Sequence, residues 1–138
     1  MTSIYSYQKH TDSLRTYELQ LPHNDSNERQ GTELATIDGV TYVSLPDGVV
    51  LPSAQPEQIA ASITTVTLTD TLRDQIKAAS PHVALINQRV VEAIRERYSM
   101  DDEIKMLRLA PSDQATAYNA YAEECRAWGR QQKALLGL

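Results

Sequence analysis

Glu33-Leu34-Ala35-Thr36-Ile37-Asp38-Gly39-Val40-Thr41-Tyr42-Val43-Ser44-Leu45 decides the fold class of this 138-residue chain. Two β-prone runs flank Asp38-Gly39, and that arrangement predicts a hairpin. A two-residue type I′ turn needs positive φ at both central positions, which Asp tolerates and Gly adopts freely. Pro46-Asp47-Gly48 supplies a second turn, and Val49-Val50-Leu51 can start a further short strand. A lone hairpin is marginal in water and needs a third strand or a helix to cover it. Two segments qualify as that strand. In residues 14–21, Tyr17, Leu19 and Leu21 share one face at period two; the other segment is the β-branched run Ile63-Thr64-Thr65-Val66-Thr67-Leu68. Ser3 to Tyr7 alternates only weakly, and Pro22 to Thr32 reads as an exposed, turn-rich loop.

Beyond Pro52–Pro56 the punctuation becomes helical. Thr69 or Asp70 can cap a helix carrying Leu72, Ile76 and Ala79. Ser80-Pro81 reads as a cap followed by proline in the first turn of a helix over about 81–98. Val83, Ile86, Val90, Ile94 and Tyr98 recur there at spacings of three and four, which forms one helical face. Ser99 caps a third helix, and Asp101-Asp102-Glu103 suit its electropositive start. Met100, Ile104 and Leu107 form its apolar stripe. Pro111 interrupts, and Ser112 or Asp113 opens a last helix to about Leu136. The chain is therefore α+β. A small N-terminal antiparallel β-region spans 1–51, a connector with room for a short strand spans 52–68, and an α-helical region spans 69–138.

Composition narrows the function classes. No Gly lies between Gly48 and Gly129, so the helical half lacks the glycines that phosphate-cradling loops and nucleophile elbows require. Residues 1–70 hold three basic and nine acidic residues, and residues 71–138 hold ten basic and nine acidic. Arg89, Arg95, Arg97, Lys105 and Arg108 interleave with Glu92, Glu96, Asp101 and Asp102, which argues against a nucleic-acid partner. No apolar run is long enough to span a membrane, and the N-terminal stretch has no secretory pattern. The single Cys125 forms no CxxC metal site, His10, His23 and His82 are scattered, and the acidic cluster fits a helix start better than a cation loop. No catalytic, cofactor-binding or metal-ligating residue is assigned.

The last helix carries the contact candidates. Tyr118, Tyr121, Cys125, Trp128, Gln132 and Leu135 form a heptad-like seam. Tyr118, Tyr121, Cys125, Trp128 and Leu135 are expected to serve packing or a partner, with Cys125 and Trp128 buried in the monomer or at an assembly contact.

Two stretches carry a family resemblance. Ile37-Asp38-Gly39-Val40-Thr41-Tyr42-Val43 with Pro46-Asp47-Gly48 resembles the short β-segments of small phage tail-associated proteins. Ile86 to Arg108 is similar to the C-terminal helices of proteins encoded beside phage tail or tail-fibre genes. Tail-fibre assembly proteins share the outline: small N-terminal strands, a proline-containing connector, then helices with an aromatic-rich end such as Tyr118 to Trp128. The resemblance implies a non-enzymatic structural or accessory role in a phage tail, in the virion or in the host cytoplasm during assembly. It implies tail or tail-fibre proteins as partners, with a second copy of the chain as another. Three alternatives remain open: a tail-fibre assembly chaperone, a small hydrolase or thiol enzyme using Cys125 or His82, and a binder of host proteins.

Overall fold

A computed structural model describes residues 2–138. The hairpin forms where the sequence places it. Strand β4 (Thr32–Ile37) turns at Asp38-Gly39 into β5 (Val40–Leu45), with Ile37 opposite Val40. Asp38 has φ 50° and Gly39 φ 81°, the two positive values a type I′ turn demands. Thr36 and Thr41 lock the first rungs through a 2.9 Å hydroxyl–hydroxyl bond. The second turn also forms: Gly48 has φ 77°, and the Val49 amide donates to the Pro46 carbonyl at 3.2 Å. Val49 to Leu51 does not continue as a strand; Leu51 instead packs against the core cluster of Tyr7, Leu19, Val43 and Ile59.

The hairpin is completed by β1 (Ser3–Tyr7), which lies beside β5 and pairs on its other side with β6 (Thr64–Val66). The antiparallel sheet has the order β4-β5-β1-β6. The weakly alternating N-terminal segment is thus an inner strand, and the 63–68 run reaches the sheet through it. The other candidate, 14–21, contributes only β3 (Thr16–Tyr17), paired with β2 (His10–Thr11) in a separate two-stranded ribbon. The reason is local. The Asp12 carboxylate accepts from the amides of Leu14 and Arg15 at 2.7 and 2.9 Å, which winds 12–15 into a turn and leaves Leu14 88% exposed. The period-two face survives, because Tyr17, Leu19 and Leu21 all join the core around Tyr7 and Val43.

Both faces of the sheet are covered. Ile4, Leu34, Ala35 and Tyr42 pack on one side with α2 (Asp70–Ala79), whose Ile76 is fully buried, and with Leu136 and Leu138. Tyr7 and Val43 face the other side, where Ile59 of the short α1 (Glu57–Ala60) closes the core. A register shift between Glu33 and Ala35 places the consecutive Leu34 and Ala35 in one cluster. Burying Leu34, Leu45, Ile59 and Ile76 contributes roughly 1.5–3 kcal/mol each.

The helix caps are those read from the sequence. The Thr69 hydroxyl accepts from the Leu72 amide at 3.1 Å at the start of α2. Helix α3 (Pro81–Arg97) begins at its proline. Ser99 and Asp102 form a reciprocal capping box for α4 (Met100–Leu109). The Ser112 hydroxyl accepts from the Ala115 amide at 3.0 Å ahead of α5 (Asp113–Leu135). The chain divides into two units, but not at the Pro52–Pro56 changeover. The sheet unit comprises the residues up to His82 together with Leu135–Leu138, and the helical unit comprises Val83–Ala134. Helix α2 therefore belongs with the sheet it covers.

Candidate functional site

Within the helical unit, the seam on α5 differs from its sequence reading. The buried positions are Ala115, Ala122 and Gly129, seven residues apart. An atom in the Cβ position of Gly129 would sit 2.7 Å from Val90 Cγ2, so α3 and α5 approach backbone to side chain there. The large residues flank this line of small ones. Tyr118, Tyr121 and Cys125 are half-buried, Trp128 is 38% exposed and Leu135 is 70% exposed. Of the expectation that Trp128 and Cys125 are buried within the monomer or at an assembly contact, the monomer half does not hold for Trp128, while Cys125 is half-buried. Close helix approach selects small residues for the centre and pushes the indole to the rim.

Tyr118 and Tyr121 are engaged internally. The Tyr98 ring meets Tyr118 edge-on at 5.0 Å and Tyr121 at 5.8 Å. The Tyr121 hydroxyl donates to the Ala93 carbonyl at 2.8 Å, and the Arg97 guanidinium lies 4.7 Å from the Tyr121 ring centre. Arg95 pairs with Glu103 at 2.6 Å, joining α3 to α4. Desolvation, then the neighbouring Glu103 carboxylate, holds the Tyr118 hydroxyl above its ordinary pKa, while Arg95 holds Glu103 below the usual carboxylate value.

Helix α4 has no buried residue. Its predicted stripe lies on the surface instead: Met100 is 66% exposed, Ile104 50% and Leu107 77%. Glu103 is the residue through which α4 pairs with α3, and Asp102 is occupied by the cap.

The alternative chemistry has its own geometry. His10, His23 and His82 are exposed and belong to the sheet unit, whereas Cys125 belongs to the helical unit beside Tyr121. Among the described residues, no three of His, Cys, Asp and Glu converge. A cavity of about 390 Å³ in the sheet unit is lined by Tyr7, Glu18, Arg29, Glu33 and His82 among others. Beside it, Lys9 pairs with Glu33 at 2.7 Å and Glu18 at 3.4 Å. The hydrogen bond to Glu33 raises the Lys9 pKa, and burial raises that of Tyr7. Lys9 therefore stays charged and Tyr7 protonated at neutral pH, the wrong states for a general base. Sequence reasoning missed this cavity because its lining comes from separate segments that share no local pattern.

Fold and surface together define an α+β chain whose helical unit presents an apolar helix face. No protein-family model, curated protein or solved structure matches it.

Proposed function

We propose that the chain is a non-enzymatic structural or accessory protein of a phage tail that acts through protein–protein contacts. The observation that carries the contact part is α4, a helix with no buried residue and with Met100, Ile104 and Leu107 turned to solvent. Contiguous exposed apolar surface on a helix marks an interaction face. Trp128 on the rim of α5 adds an aromatic anchor of the kind enriched at interface hot spots. The tail assignment rests on the resemblance of Ile37–Val43 and Ile86–Arg108 to tail-associated proteins. The near-balanced charge of residues 71–138 disfavours a nucleic-acid partner.

Co-expression with the tail and tail-fibre proteins encoded nearby, followed by size-exclusion chromatography, tests the reading. Co-elution with one of them is expected, and it should weaken on Leu107→Asp. A chain that ignores every tail protein defeats the proposal. Mass spectrometry of purified particles then separates a virion component, which is retained, from an assembly chaperone, which is absent from the particle.

A further inference from the structure

We infer that the exposed face of α4 is a self-association surface, on which a second copy of the chain docks its own α4 antiparallel about a two-fold axis near Ile104. The inference rests on the reading of the chain as one that acts through protein contacts, and it names the surface and the occupant.

The apolar part of the argument is spacing. Met100, Ile104 and Leu107 fall at i, i+4 and i+7, on one side of the helix, and all three are at least half exposed. A two-fold axis at Ile104 sets Ile104 against its own copy and Met100 of each copy against Leu107 of the other. The stripe is therefore complementary to itself, as an isologous contact requires.

Charge selects the orientation. Steps of about 100° per residue place Asp101 and Arg108 on the same shoulder of the stripe, roughly 20° apart around the helix and one at each end of it. Both are exposed, and neither has an ion partner among the described residues. In an antiparallel pair related by a two-fold axis, each shoulder meets the same shoulder of the other copy. Asp101 of one copy then faces Arg108 of the other, and the pairing occurs twice. In a parallel pair this shoulder meets the opposite one, where Asp101 is set beside Glu103 and no carboxylate of the helix lies level with Arg108. Glu103 is in any case held by Arg95 at 2.6 Å, which leaves the Asp101–Arg108 shoulder as the one with charge to spare. A contact between two ten-residue helices belongs to the weak, concentration-dependent class.

The test is sedimentation of the full chain across a wide concentration range, with charge-reversed variants. The native chain should shift from monomer to dimer with rising concentration. Asp101→Arg and Arg108→Asp should each sediment as monomers under conditions where the native chain dimerises, because each places like charges across the axis. Mixed in equal amounts, the two variants should form a heterodimer, because both cross-axis pairs then have opposite charges. Circular dichroism of each variant guards against loss of α4. If α4 is lost in either, Met100→Cys and Leu107→Cys, each in a Cys125→Ser background, are mixed in equal amounts instead. Oxidation should then link the two variants to each other in preference to like with like, as only the antiparallel pair requires, and failure of the mixed dimer to form at dimerising concentrations overturns the inference.

A dimer indifferent to the charge reversals overturns the inference, as does a native chain that stays monomeric. A tail protein that shields Ile104→Cys from alkylation while the chain alone stays monomeric assigns the face to another partner and leaves the proposed function standing. A charge-dependent dimer that ignores all tail proteins supports the self-association and defeats the proposed function.

Discussion

Ile76 on α2 and Ile104 on α4 occupy similar places in amphipathic ten-residue helices, yet one is fully buried and the other half exposed. In the sheet unit, large aliphatic residues from strands and helices close two cores, one on each side of a four-stranded sheet. In the helical unit, the α5 seam is built from Ala115, Ala122 and Gly129, and the aromatic residues gather at its margin. Small residues bring helices close but bury little area per residue, so the helical unit retains apolar surface that the sheet unit has already used. A hydrophobic stripe therefore reports that a helix has an apolar face, not what covers it.

The sharpest way to break this contrast is a pair of truncations. Leu34→Ala, at a position with no exposed surface, should cost about 2–5 kcal/mol in chemical denaturation. Leu107→Ala, 77% exposed, should change monomer stability by less than about 0.5 kcal/mol. Equal losses would mean that the α4 stripe is covered in the monomer. The next effect tests the close helix approach. Gly129→Val should cost about 1–3 kcal/mol through overpacking against Val90, whose branched side chain has little freedom to yield. Gly129→Ala should cost less, because the helix propensity gained offsets up to about 1 kcal/mol.

At the hairpin, Gly39→Val should cost about 1–2 kcal/mol from the positive φ alone, because nothing lies within 4 Å of the added Cβ. The smallest effect is electrostatic and confined to the helical unit. The Ser99 amide and hydroxyl hold Asp102 below the ordinary carboxylate pKa, and Arg95 does the same for Glu103. A depressed folded-state pKa contributes stability above the unfolded value of about 4, and that stability is lost as pH falls through the folded value. Thermal melts from pH 6 down to pH 3 should show a decline that Asp102→Asn makes shallower.

What was legible in the sequence was punctuation. Asp38-Gly39 fixes its turn because the backbone geometry depends on those two residues, Thr69, Ser99 and Ser112 mark helix starts because a cap is completed within three residues, and Pro81 marks one because its fixed φ suits the first turn. What was not legible needed partners distant in sequence. Ser3–Tyr7 looks unremarkable until Tyr5 pairs with Val43 and Thr65, about 40 and 60 residues away. The α5 seam was read one step around the helix from its true line because the reading weighted large residues, whereas the packing selected small ones. Of the candidate contacts, Tyr118 and Tyr121 turn out to be spent within the helical unit, while Trp128 and Leu135 keep exposed surface. The α4 surface lay in the sequence as a stripe, but its exposure did not.

The core of Ile4, Leu34, Ala35 and Ile76 is closed in part by Leu136 and Leu138, and an added Cβ at Gly137 would lie 3.1 Å from Ile4 Cδ1. The helical unit is thus an interruption in the polypeptide of the sheet unit. Translation is directional, so the order of synthesis and the order of completion differ. The inner strand β1 leaves the ribosome ahead of the other strands and the helices, yet its core stays open until residues 136–138 have followed some 130 positions later. The interrupting helices, whose contacts are more local, can settle while the sheet still waits. Nascent chains halted before Leu136 should accordingly be more protease-sensitive in the sheet unit than chains extended past Leu138 by an unrelated linker.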